Sequence, residues 1–129
     1  MADKLADQIQ WLPPSWFPGR IGFCPSKAAW DRFMSKMKCD LAYPTTAGGC
    51  SWVDAESGYH ILITLDDSPE GEGPYDHPGM LVHEAVHAFR YLCHHIGERE
   101  PSSEFEAYSI QHIHAGLLKG YRATRGKRP

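Results

Sequence analysis

Apolar residues recur along this chain with two different periods, and the changes of period mark out its elements. Ala29, Trp30, Phe33, Met34 and Met37 fall three and four apart, with Lys27, Asp31, Arg32, Lys36 and Lys38 between them. Such spacing puts one apolar stripe on a helix. Ser26, just after Pro25, stands where an N-cap belongs, so an amphipathic helix is predicted to about Lys38. Leu81, Ala85, Ala88 and Leu92 repeat the helical spacing and predict a second helix over residues 80–96, preceded by Pro78-Gly79 and stopped by Gly97. A third is predicted from Ser102 or Ser103 to Lys119. Pro101 precedes it, and Ser103-Glu-Phe-Glu106 fits a capping box.

Between the first two helices the pattern turns β-like. Residues 45–53, interrupted by Gly48-Gly49, and residues 59–65, rich in Ile and Leu with Thr64, predict two strands. The turn-forming stretch 54–58 joins them into an antiparallel hairpin. Residues 66–79, with three prolines, three glycines and five acidic side chains, are expected to be a loop, long enough to be functional or to act as a lid. The first 25 residues mix Trp11, Trp16 and Phe17 with four prolines, which favours an extended segment lying on the core. A short helix over 4–11 is a weaker signal. The expected fold class is α+β, one domain over residues 1–120, with a frayed basic tail over 121–129.

Composition narrows the class. At 129 residues, with 42% hydrophobic and 22% charged residues, the chain is long enough for one modest core. A net charge of -3 does not favour a nucleic-acid partner, and no run approaches the length of a membrane span. The N-terminus lacks the basic-then-apolar run of a secretory signal. Cys24, Cys39, Cys50 and Cys93 stand singly and read as small apolar residues in a reducing compartment, so a cytoplasmic location is expected.

The chemistry concentrates in His83-Glu84-Ala85-Val86-His87. Residues i and i+4 share a helix face, so both imidazoles can reach one ion, and Glu84, about 100° around the helix, can take a proton from a water beside it. Eight His and eight Glu would place this motif by accident in roughly 3% of shuffled chains of this length. A zinc site needs a third ligand. A third His in the spacing H-E-x-x-H-x-x-G-x-x-H fails, because Arg90 and Cys93 stand at those places. Glu104 and Glu106 on the third helix are the alternatives. Glu106 shares the row of Ile110, Ile113 and Leu117, where a carboxylate needs a partner, and is favoured over Glu104. Donors for a developing oxyanion are Tyr108, His60, Tyr75, His77 and Arg90, with Tyr108 preferred as the residue nearest Glu106 in sequence.

His83-Glu-Ala-Val-His87, eighteen intervening residues and then Glu106-Ala107 resemble the gluzincin group of zinc metallopeptidases. The stretch 98–113 is also similar to short metallopeptidase-like proteins of tailed phages and prophages. The resemblance covers residues 81–118. It implies a minimal zincin-like domain in which Zn2+ is held by His83, His87 and Glu106, and Glu84 activates the zinc-bound water that hydrolyses a peptide bond. It also implies an edge strand from the hairpin that holds an extended peptide substrate. The large members carry a second domain for which this chain has no room. Alternatives are a non-catalytic zinc-containing phage or prophage protein, structural or interacting, and a hydrolase of another bond.

Overall fold

Ser26 caps the first helix as its position suggests: its hydroxyl accepts from the Ala29 N–H at 3.2 Å, and Lys38, in the left-handed region at φ 60°, closes the other end. The computed structural model describes residues 7–68 and 76–125. Their order is β1 (Gln10–Trp11), β2 (Arg20–Phe23), α1 (Lys27–Met37), β3 (Gly48–Ala55), β4 (Gly58–Leu65), α2 (His77–Ile96) and α3 (Ser103–Thr124). This is an α+β fold.

The strands form one sheet in the order β1-β2-β4-β3. β3 and β4 make the expected antiparallel hairpin, with Trp52 opposite Ile61 and Gly48 opposite Leu65. β2 runs parallel to β4, which requires the chain to cross over between them through α1. Alternation along β4 then sorts the core into two. Tyr59, Ile61, Ile63 and Leu65 face α2 and α3, packing with Leu81, Phe89, Leu92, Ile113 and Leu117. Leu62 points the other way, to Trp30, Phe33 and Met34 of α1. The sheet is thus a middle layer with α1 on one face and the α2–α3 pair on the other.

The rotation of α2 about its axis decides where the motif points, and buried aromatic packing fixes it. Phe89 is fully buried, with Trp16 at 6.3 Å and Phe105 at 5.7 Å between ring centres. Truncating a core ring of this kind costs about 3–5 kcal/mol. With Leu81, Ala85, Ala88 and Phe89 turned inward, His83 and His87 must lie outward.

Several boundaries differ from the sequence expectation. Residues 10–11 pair as a strand with β2, so a helix over 4–11 does not extend through them, and residues 1–6 lie outside the described residues. The hairpin strands reach Ala55 and start at Gly58, whose φ of 133° only glycine adopts readily, so the turn is shorter than 54–58. α2 starts three residues early because Asp76 caps it, accepting from Gly79 N–H at 2.8 Å, with Pro78 tolerated in the first turn. Half of the expected loop, residues 69–75, lies outside the described residues. α3 is capped by Ser102 rather than Ser103, which leaves Glu106 free of any capping box. It also runs on past Gly120 to Thr124, where a frayed tail was expected. Gly120 lies so close to β1 that an added Cβ would come within 2.7 Å of Gln10, and Tyr121 is buried against Phe23. This glycine permits packing and does not stop the helix. No described helix is long and apolar enough to cross a membrane.

Candidate metal centre and its base

One turn of α2 separates His83 from His87, and their Nε2 atoms come within 3.2 Å of each other. The rings meet edge to face, with centres 4.8 Å apart, and both side chains are exposed. Two imidazoles on a tetrahedral zinc, each about 2.0–2.1 Å from it, would have nitrogens roughly 3.3–3.4 Å apart. The observed pair, which is also within hydrogen-bond distance, is within a few tenths of an ångström of that separation, so the two imidazoles are spaced as two ligands of such an ion would be.

Glu84 lies on the next side of the helix and is only 3% exposed. Burial pushes its carboxyl above the ordinary carboxylate range, and the neighbouring His83 and His87 pull it back in part. A carboxylate raised in this way is better matched to accepting a proton near neutral pH. The seam it occupies lies between α2 and β3, the edge strand. Along the α2-facing side of β3, Gly48 sits against Glu84 and Met80, Cys50 joins the core, and Trp52 packs on Tyr91 with ring centres 5.0 Å apart.

The residue expected as a third ligand is placed differently from the pair. Among the described residues, no third His, Cys, Asp or Glu joins His83 and His87 in a group that could hold a metal ion. Glu106 does project from α3 toward α2, as its row predicted, but Oε2 accepts from an Arg90 guanidinium nitrogen at 2.7 Å. Arg90 follows His87 by three residues and so emerges from the same side of α2. Glu104 is exposed in the first turn of α3.

The candidate oxyanion donors are dispersed. Tyr108 is 68% exposed and, two residues beyond Glu106, emerges from nearly the opposite side of α3, so the structure does not bring it to the histidine pair. His60 faces α1, between Trp11 and Phe33, on the other side of the sheet. His77 is buried, 3.1 Å from both the Tyr121 hydroxyl and Asp66. Hydrogen bonding from Ser68 and His77 in turn holds the Asp66 carboxyl below its ordinary range. This network ties the start of α2 to the end of α3. Tyr75 lies outside the described residues, and Arg90 is engaged with Glu106.

Tyr91 was missed. It is i+4 from His87 and half-buried, and its hydroxyl is pushed up mainly by burial, with Cys50 and Glu84 contributing. The same face-sharing rule that pairs His83 with His87 would have found it. Compared with models of protein families, with curated proteins and with solved structures, the chain matches none.

Proposed function

We propose that this protein is a minimal zinc metallopeptidase of the gluzincin type. The observation that carries the reading is the 3.2 Å approach of two exposed Nε2 atoms beside a buried glutamate, beneath an edge strand. His83 and His87 would hold the metal, with Glu106 as third ligand. A zinc ion so bound supplies Lewis acidity toward the scissile carbonyl and the attacking water. Glu84 takes the proton of that water and delivers it to the leaving amine. β3, which among the described residues pairs only with β4, offers its outer edge to an extended peptide by strand addition. Arg90 and Tyr91 are the polar side chains of α2 one turn beyond His87.

The test is elemental analysis of the purified chain followed by a peptide-library digest. One zinc per chain, with cleavage abolished by a chelator and restored by zinc, is the expected result. A chain that holds one zinc and cleaves nothing would favour the non-catalytic zinc-containing protein instead.

Glu106 must exchange Arg90 for the metal if it is the third ligand. A half-exposed ion pair is worth about 0.2–1 kcal/mol, so Arg90→Gln should tighten zinc binding by about 1.5–5-fold. Glu106→Gln should loosen it by at least tenfold, and Glu104→Gln should leave it unchanged. Competition titration against a chromogenic chelator measures all three. A tenfold loss in Arg90→Gln would show that the arginine supports the site and does not compete with it.

A further inference from the structure

We propose that Gly48 is a positioning residue for Glu84, its missing side chain being the space in which the catalytic carboxylate lies; this rests on the peptidase reading above. A Cβ built on Gly48 would stand 2.7 Å from Glu84 Oε2 and 2.8 Å from Met80 Cε, distances at which something has to move. The backbone at this point is the fixed partner. Gly48 pairs with Leu65 in the hairpin, its carbonyl accepts from the Thr46 hydroxyl at 2.7 Å, and the Ala47 carbonyl accepts from Asp66 N–H at 2.9 Å. The yielding partners are the ends of two flexible side chains. Adding a methyl group at position 48 therefore displaces the Glu84 carboxylate and leaves the strand where it is.

The φ angle at Gly48 is not in the left-handed region, so backbone conformation does not demand glycine there. What demands it is the approach of Glu84. Gly49 is a natural control: its Cβ would meet Thr64 and Pro44 on the other side of the strand, away from α2.

Gly48→Ala in the zinc-loaded full chain should lower kcat about 10–100-fold, the scale of a one-ångström misplacement. KM, zinc affinity and melting temperature should change little. Glu84→Asp shortens the carboxylate and vacates the space, so Gly48→Ala combined with Glu84→Asp should lose less than the product of the two single losses. Losses that multiply, or a Gly48→Ala enzyme within threefold of the parent, would overturn the assignment. If the parent chain cleaves no peptide, the peptidase reading fails by itself. Gly48 is then judged by the carboxyl 13C resonance of Glu84 in the metal-free chain, which should move in Gly48→Ala and not in Gly49→Ala; an unmoved resonance would overturn it.

Discussion

Glu84→Gln is expected to lower peptide hydrolysis by about 10²–10⁴-fold, the range over which a positioned general base contributes. Zinc should still bind, because the two imidazoles are untouched. The same substitution should stabilise the metal-free fold at neutral pH. Glu84 is 3% exposed, and burial raises its carboxyl above the ordinary value. The unfolded chain ionises at about pH 4.3, while the folded chain holds its proton to higher pH. The contribution of this group to stability is therefore fully present below the unfolded value and is lost as pH rises through the folded one. Urea melts of the metal-free parent should show that decline and melts of the Gln variant should not, leaving the variant the more stable at pH 7. A variant with full activity would remove Glu84 from the mechanism. One less stable than the parent at pH 7 would show that its carboxylate is favourably held in the fold.

The second large effect is expected at His87. His87→Ala should abolish stoichiometric zinc and all zinc-dependent hydrolysis, since one imidazole and one carboxylate make a poor zinc site. The ring is exposed, so the metal-free fold should melt within about 0.5 kcal/mol of the parent, as surface substitutions usually do. Zinc should raise the melting temperature of the parent by mass action and leave that of the variant unmoved. Tight zinc in the variant would place the metal elsewhere on the chain.

Local periodicity carried most of the fold. α1 and the interior of α2 are legible because one side of each is apolar at the helical period, and the hairpin because a short apolar run, buried on both faces, follows a turn-forming stretch. The boundaries that moved are those where distant packing decides. Gly120 reads as a helix stop until Gln10 and Phe23 are seen against it, and Asp76 caps α2 ahead of a proline that suggests a later start. The parallel pairing of β2 with β4 was not legible, because β2 is four residues long and its partner is some forty residues away. At the site, an i, i+4 rule sufficed for the histidine pair. The partner of Glu106 required knowing how α2 and α3 face one another, and only that arrangement brings Arg90 to its carboxylate. Tyr108 is adjacent to the site in sequence and turned away from it in space.

The outer margin of β3, unpaired among the described residues, has a consequence for the molecule's own company. Its eight residues, Gly48–Ala55, carry a single charged side chain, Asp54, and no proline. Unpaired strand edges with so few charges are templates for any extended backbone, including an identical one related by a two-fold axis. On the proposed peptidase reading, two copies joined margin to margin would each occupy the strand edge which that reading gives to the substrate. Specific activity should therefore fall as protein concentration rises, in step with dimer seen by sedimentation, and saturating peptide should return the monomer. The molecule would then act as a weak inhibitor of itself.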